Sequence, residues 1–226
     1  AQLTIMPRIE KIAIKDVKLR TFITEDTTRN DLVHHVYDVT YGLVNNHKDT
    51  LVVLDDSIVR GTTLKESILT MLDRLQPKKI IVVSSAPQIR YPDCYGIDMS
   101  KMGSFVAFQA AVRLWKIKDE KFLPDLFRRC KEELQKPPLE MQNLVKEVYA
   151  PFTDEEISKE IANIVKPNHI FSDVEVIYQT IDNLHQACPN NLGDWYFTGN
   201  YPTPGGNRVT LKAFVNYMEG KNVRAY

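Results

Sequence analysis

The fold is decided by the stretch Leu51-Val52-Val53-Leu54-Asp55-Asp56-Ser57-Ile58-Val59-Arg60-Gly61-Thr62-Thr63. Its first four residues are apolar and two of them are β-branched, which predicts a short buried strand. Two adjacent carboxylates follow where the strand ends, and a loop with one glycine comes next. Apolar residues then recur at helical spacing from Leu64 to Leu75. The stretch therefore predicts a strand, a loop and the amino terminus of a helix.

This order of elements suits a ligand that carries a phosphate and a sugar. The amino terminus of a helix has unpaired N–H groups and a partial positive charge, so the loop can hold an anion. Gly61 allows the backbone to approach the anion closely, and Thr62 and Thr63 add hydroxyl donors. Asp55 and Asp56 stand at the carboxyl end of the strand, where α/β sheets bind ligands. Their carboxylates can accept hydrogen bonds from sugar hydroxyls or coordinate Mg²⁺.

A plainer interpretation treats the acidic pair as a solvated turn and Thr63 as a helix N-cap. The succession of apolar run, acidic pair, Gly-Thr-Thr and amphipathic helix favours the ligand site.

The same order resembles the phosphoribosyl pyrophosphate (PRPP) loop of type I phosphoribosyltransferases. The nine residues from Asp55 to Thr63 resemble the loop of one family in that group, the amidophosphoribosyltransferases. The resemblance implies that Asp55 and Asp56 hold the ribose hydroxyls and help to site Mg²⁺. It implies that the following loop binds the 5-phosphate through backbone N–H groups and Thr63, and it assigns no catalytic residue. The implied PRPP-binding residues are Asp55, Asp56, Ser57, Ile58, Val59, Arg60, Gly61, Thr62 and Thr63.

A second buried strand is predicted at Ile80-Ile81-Val82-Val83, after the breaker Gln76-Pro77. Strand, helix and strand make a βαβ unit of a parallel sheet. Beyond it, the segments Pro87-Gln88-Ile89-Arg90-Tyr91-Pro92 and Tyr95-Gly96-Ile97-Asp98 resemble the sequence that follows the PRPP loop in amidophosphoribosyltransferases. Salvage and orotate phosphoribosyltransferases share the loop but not this sequel.

The rest of the chain carries mainly helix signals, at Met102–Leu114, Pro124–Leu134, Leu139–Tyr149 and from Thr153 to Pro167. Thr153 and Glu156 form a capping-box pattern. Val174–Leu184 has a mixed amphipathic pattern, and Gly205-Gly206-Asn207 is expected to break regular structure. We expect an α/β fold with a parallel sheet like that of type I phosphoribosyltransferases and a largely helical C-terminal part. The expected domains are an α/β domain over 1–116 and a helical extension over 117–226.

The tail segment Phe197-Thr198-Gly199 belongs to a pattern that also resembles the amidophosphoribosyltransferases. One branch of that family binds an iron–sulfur cluster through cysteines that fall at Gly193, at Tyr196 and beside Asp93-Cys94. Glycine and tyrosine supply no thiolate, and a [4Fe–4S] cluster needs four such ligands. We expect no iron–sulfur cluster.

The amino-terminal part is expected to contribute one or two strands from residues 1–22. Arg20-Thr21-Phe22-Ile23 resembles the start of the flexible flap of this family, and His34-His35 is interpreted as two ordinary polar positions. A nucleophilic cysteine and a pyrophosphate-binding loop have no recognisable counterpart. We therefore expect the carboxyl-terminal part of a longer enzyme, with an incomplete sheet and with the glutaminase domain elsewhere in the parent protein. The isolated fragment is expected to be inactive as an enzyme.

The composition is that of an ordinary globular protein, with 43% hydrophobic and 26% charged residues. Lys plus Arg equals Asp plus Glu at 29 each, which argues against non-specific binding to nucleic acid or anionic membranes. No apolar run approaches the ~18 residues of a membrane span, and residues 1–16 lack a signal-peptide pattern. The three cysteines form no close pair, which indicates reduced thiols in the cytoplasm.

By resemblance, the expected reaction is transfer of ammonia, released from glutamine, to PRPP. It yields 5-phosphoribosylamine, pyrophosphate and glutamate and opens purine synthesis. PRPP, ammonia and glutamine are the expected small-molecule partners, Mg²⁺ is the expected cofactor, and a homo-oligomer is expected. Two alternatives stay open, a PRPP-sensing module without turnover and a phosphoribosyltransferase that acts on a nucleobase.

Overall fold

A computed structural model describes residues 8–10, 13–15, 37–95, 99–190 and 193–225. The flap-like tetrad at 20–23, the histidine pair at 34–35 and residues 96–98 of the Tyr-Gly-Ile-Asp segment lie outside these ranges. The chain divides into two compact units. The first comprises residues 1–51, 62–80 and 166–173, and the second comprises residues 52–61, 81–165 and 174–226.

The first unit contains a short antiparallel pair, β1 (Ala13–Lys15) and β2 (Tyr37–Val39), with Ala13 opposite Val39. Its helical part starts at Thr62, passes through a π-helical turn at Leu64–Ile68 and continues as α1 (Leu69–Asp73). The side chains of Leu64, Leu69, Leu72 and Leu75 are buried, which confirms the amphipathic helix predicted after the loop.

The three-stranded sheet has the order β3 (Thr50–Asp55), β4 (Lys79–Ser84), β5 (Asp173–Tyr178). At the carboxyl ends, Ser85 N donates to Asp55 O (2.9 Å) and Gln179 N donates to Ser84 O (3.1 Å). The strands run parallel, so the predicted α/β class with a parallel sheet is confirmed.

The third strand corrects the prediction of a mixed amphipathic segment at Val174–Leu184. Residues 174–178 alternate as a strand does, with Val176 buried and Ile177 exposed. The pattern changes to helical at Thr180, whose hydroxyl accepts from Asn183 N (3.1 Å) and caps the helix Ile181–Ala187. Because a strand and a helix both lie within these eleven residues, the hydrophobic pattern of the segment matches neither the two-residue period of a strand nor the 3.6-residue period of a helix.

The prediction of a short buried strand at Leu51–Leu54 is wrong for one face of β3. Leu51 is 7% exposed, whereas Val52 and Leu54 are 62% and 78% exposed. Successive side chains of a strand point to opposite faces, and the described chain covers only one of them.

The second unit is mainly helical. Its longer helices are α2 (Val106–Lys118), α3 (Phe122–Glu133), α4 (Asp154–Val165) and α7 (Pro204–Met218). The shorter elements are α5 (Ile181–Ala187), α6 (Trp195–Thr198) and a 3₁₀ turn at Met102–Ser104. Phe108 of α2 is fully buried and meets Phe214 of α7 edge to face, 6.2 Å between ring centroids. Within the described ranges, every helix is too short or too polar to cross a membrane.

The predicted capping box at Thr153 is confirmed. Thr153 N donates to Glu156 Oε2 (2.7 Å), and Glu156 N donates to Thr153 Oγ1 (3.1 Å). The helix that follows buries Ile157, Ile161 and Ile164, as its spacing predicts.

The predicted helix at Leu139–Tyr149 is wrong, because this segment forms two separate 3₁₀ turns, Pro138–Glu140 and Leu144–Val148. Between them, Gln142 N donates to the Glu133 carboxylate (2.8 Å), and Asn207 Nδ2 donates to Met141 O (2.9 Å). Tertiary hydrogen bonds therefore take the backbone groups that a continuous helix needs.

The predicted break at Gly205-Gly206-Asn207 is also wrong, because all three residues lie in the first turn of α7. Pro204 at the start supplies the backbone angle of a helical first residue. A Cβ on Gly206 would lie 2.2 Å from Tyr201 Cγ, so this glycine lets the Tyr201 ring pack against the helix.

We expect Gly206→Ala to destabilise the fold by about 2–3 kcal/mol, because the added methyl group overlaps the Tyr201 ring. Gly205→Ala is the matched control, since its nearest atom, Thr203 Oγ1, would be 3.7 Å from the new Cβ. That change should leave stability unchanged or raise it by up to about 1 kcal/mol. Urea unfolding at 25 °C measures both, and equal effects of the two substitutions would contradict the packing argument.

Candidate functional site

The backbone of the acidic pair is held by the loop that follows β4. Ser85 N donates to Asp55 O (2.9 Å), and Ala86 N donates to Asp56 O (3.1 Å). The Ser85 hydroxyl adds a second bond to Asp56 O (3.1 Å). These residues all belong to the second unit, at the carboxyl end of the sheet. The position is the edge where parallel sheets bind ligands.

The two carboxylates have different surroundings. Asp55 is half-buried, and its Oδ1 accepts from Asp56 N (2.9 Å). Burial raises the pKa of Asp55 above its ordinary value, and the hydrogen bond from Asp56 N opposes this rise. Asp56 is exposed, and its Oδ1 accepts from the Ser57 hydroxyl (3.1 Å). One carboxylate is therefore fixed near the sheet, and the other is open to solvent.

The loop from Ser57 to Gly61 is anchored on α2. Ile58 is 4% exposed, so its side chain is an anchor and only its backbone could reach a ligand. Val59 O accepts from Val106 N (2.9 Å), one of the N–H groups that a helix leaves unpaired at its amino terminus. The side chain of Arg60 is exposed.

Gly61 is required by the backbone and by packing. Its φ is +71°, a left-handed conformation that favours glycine, and a Cβ there would lie 2.7 Å from Val165 Cγ1. Close approach of the backbone to an anion is the role that the sequence predicts for this glycine. The structure gives two other reasons, and the anion contact stays a prediction.

Thr62 and Thr63 belong to the first unit and are already helical. Thr63 has φ −60° and ψ −39°, and its side chain makes no capping bond. The plainer interpretation of Thr63 as an N-cap is therefore wrong, because an N-cap residue has non-helical backbone angles.

The donor set of the acidic pair fits Mg²⁺. Among the described residues, no group of three or more His, Cys, Asp and Glu side chains is arranged to hold a metal ion. Mg²⁺ usually keeps several waters and takes one or two carboxylates together with ligand phosphates. Asp55 and Asp56 would supply that number of protein oxygens and leave the remaining positions to the ligand and water.

Sequence reasoning missed three polar residues at this edge of the sheet. Ser84 is the last residue of β4, and Ser85 begins the loop that follows it. The Ser84 hydroxyl donates to Ala86 O (2.8 Å). Tyr178 ends β5, a strand that was not predicted. The signal available for the serines was their position directly after a buried apolar run.

The segments around Asp93 and Tyr196 meet within the second unit, with Tyr196 Oη donating to Asp93 Oδ1 (2.9 Å). Arg90 N and Tyr91 N both donate to Tyr196 O, at 2.8 and 3.1 Å. Asp93 is fully buried. Burial of the Tyr196 phenol and its hydrogen bond to the Asp93 side chain raise the pKa of Tyr196 to about 12. At the positions where one branch of the family places cysteines, this chain has a neutral phenol bonded to a carboxylate.

The three cysteines are free thiols in different surroundings: Cys94 is half-buried, Cys130 is buried and Cys188 is exposed. Burial raises the pKa of Cys94, and the charge of Asp93 adds to the rise.

Comparison with known proteins shows that the chain is similar to amidophosphoribosyltransferases of several organisms. The amidophosphoribosyltransferase of Pasteurella multocida is 48% identical over 67 residues, which are 29% of this chain and 13% of that protein. The Saccharomyces cerevisiae amidophosphoribosyltransferase is 27% identical over 157 residues, 68% of this chain and 20% of that protein. The chain is related to the amidophosphoribosyltransferases.

The matched part is a small fraction of each amidophosphoribosyltransferase, at most 20% of the length of these two relatives. The glutamine PRPP amidotransferase of Bacillus subtilis, solved with ADP and GMP, aligns with 86% of this chain and 32% of its own. That alignment has 24% sequence identity and a TM-score of 0.46. No protein-family model matches the chain.

We expect Gly61→Ala to cost about 2–4 kcal/mol of stability, because alanine is strained at this φ and its methyl group overlaps Val165. Gly42→Ala is the matched control, since Gly42 has φ +85° but no atom of the described residues lies within 4 Å of a new Cβ. The control should lose only about 1–2 kcal/mol. Chemical denaturation measures both, and a Gly61 variant no less stable than the Gly42 variant would refute the packing requirement.

Protein purified under anaerobic conditions should contain no iron–sulfur cluster, because Gly193 and Tyr196 supply no thiolate. Visible absorption and iron analysis are the measurement. A broad charge-transfer band together with stoichiometric iron would contradict the expectation.

Proposed function

We propose that this chain is the PRPP-binding part of an amidophosphoribosyltransferase. The observation that carries the proposal is the acidic pair and its glycine-containing loop, held at the carboxyl end of a parallel sheet. The relationship to named amidophosphoribosyltransferases supports the same assignment. The complete protein would transfer ammonia from glutamine to PRPP and yield 5-phosphoribosylamine, pyrophosphate and glutamate.

In this proposal the acidic pair binds the ribose. The carboxylates of Asp55 and Asp56 accept hydrogen bonds from the sugar hydroxyls, and either can contribute an oxygen to Mg²⁺. Backbone N–H groups from Ser57 onward bind the 5-phosphate, with Thr62 and Thr63 as additional donors. Ile58 and Val59 hold the loop in place through burial and the bond to Val106 N.

The contribution of this chain to the reaction is mainly positioning. The sugar hydroxyls and the 5-phosphate fix the ribose at two ends, so C1 faces the incoming ammonia in one orientation. Bound Mg²⁺ supplies positive charge that offsets the charge of the departing pyrophosphate. Ammonia is a competent nucleophile, so the proposal needs no general base among the loop residues.

The wider setting is also proposed. A glutaminase part of the same protein would supply the ammonia, and the enzyme would work in the cytoplasm as a homo-oligomer. Within purine synthesis this transfer makes the first carbon–nitrogen bond on the sugar.

The direct test is calorimetry of the 226-residue chain with ribose 5-phosphate in the presence of Mg²⁺. Asp55→Asn combined with Asp56→Asn should abolish binding, because amides neither carry the charge nor bind Mg²⁺ as carboxylates do. Asp173→Asn is the control, since Asp173 is an exposed acid at the start of β5. Binding that survives the double substitution would place the site elsewhere.

A second measurement separates the proposed reaction from its alternatives. The full-length protein is assayed with PRPP and, in turn, with ammonia, glutamine and purine bases. Pyrophosphate release with ammonia and glutamine alone is the expected result. Turnover with a base would identify a nucleobase transferase, and binding of PRPP without any turnover would identify a sensing module.

A further inference from the structure

Tyr178 combines a buried hydroxyl with a position beside the candidate site. It is the last residue of β5, and its hydroxyl oxygen is closed off from solvent with no hydrogen-bond partner in the described part of the chain. A buried polar group without a partner is costly, so few are kept in folded proteins without a reason. Phenylalanine would fill the same space without that cost.

The sheet register places Tyr178 level with Asp55. Asp55 O accepts from Ser85 N, and Ser84 O accepts from Gln179 N, so the three strands end together. Alternation along the strands puts Asp55, Ser84 and Tyr178 on the same face. Burial raises the pKa of Tyr178 above its ordinary value, and the nearby charge of Asp55 raises it further. The phenol is therefore neutral and able to donate at physiological pH.

We propose that Tyr178 is a positioning residue of the PRPP site, whose hydroxyl donates a hydrogen bond to the Asp55 carboxylate when the phosphoribosyl ligand binds. This inference rests on the proposed function. In the free chain, Asp55 Oδ1 accepts a bond from the neighbouring Asp56 N–H. A bond from a second strand would fix the carboxylate in the orientation that the ribose hydroxyls require, and it would satisfy the orphaned phenol.

The contrasting explanation is that Tyr178 only fills space. The two explanations predict different effects of removing the hydroxyl group. If the ring only fills space, removal of the hydroxyl should not change ligand affinity. The test is therefore Tyr178→Phe, with ribose 5-phosphate and Mg²⁺ as the probe and with both affinity and thermal unfolding as readouts. We expect affinity to fall by about tenfold or more, the value of one hydrogen bond to a charged group, and the Tm to stay the same or rise.

Tyr149→Phe is the matched control. Tyr149 is also buried, but its hydroxyl donates to Arg90 O (2.7 Å) in the free chain. Its loss should lower the Tm by about 2–4 °C and leave ribose 5-phosphate affinity unchanged. The two tyrosines should thus show opposite patterns.

Each outcome decides the inference. If Tyr178→Phe binds as the wild type does while Asp55→Asn does not bind, the inference is wrong and the proposed function stands. If Tyr178→Phe lowers the Tm as Tyr149→Phe does, or if both variants lose affinity equally, the hydroxyl has a structural role and the inference is wrong. If the wild-type chain does not bind the probe at millimolar concentration, the proposed function fails and the inference fails with it.

Discussion

The candidate site depends on three hydrogen bonds that tie two strand ends together. The loop after β4 donates from Ser85 N and Oγ and from Ala86 N to the carbonyls of Asp55 and Asp56. Two adjacent aspartates repel each other, and burial of one of them adds a desolvation cost. Hydrogen bonds to the backbone carbonyls of Asp55 and Asp56 hold both residues in place and leave their carboxylates unpaired with any positive charge from this loop. The charges therefore stay available to a ligand.

The same principle extends along the loop, which is held by its apolar and backbone groups. Ile58 is buried, Val59 accepts a bond from the amino terminus of α2, and Gly61 packs against Val165. A loop fixed in this way loses little entropy when a ligand binds, so more of the contact energy appears as affinity. Among the side chains of this loop, Arg60 is exposed and Ser57 bonds the exposed carboxylate.

The sequence predicted the elements that a single local pattern determines. The strand and helix on either side of Asp55–Gly61 and the capping box at Thr153 each follow from a few neighbouring residues. The sequence patterns did not predict local structure that depends on contacts with residues far away in the chain. Gly206 lies in the first turn of α7, where the absence of a side chain makes room for the Tyr201 ring. The helix expected at Leu139–Tyr149 is replaced by two 3₁₀ turns, and between them Gln142 N donates to Glu133 and Asn207 donates to Met141 O. The third strand was missed, and with it Tyr178, because its alternating pattern runs directly into a helix.

The proposed function requires that the loop from Ser57 to Thr63 binds the phosphate of a phosphoribosyl ligand. Amide chemical shifts of the ¹⁵N-labelled chain, recorded with Mg²⁺ during titration with ribose 5-phosphate and separately with ribose, test this requirement. We expect shifts of the loop amides that saturate with ribose 5-phosphate and are much smaller with ribose at the same concentration. Loop amides that stay unmoved while other amides respond to ribose 5-phosphate would contradict it.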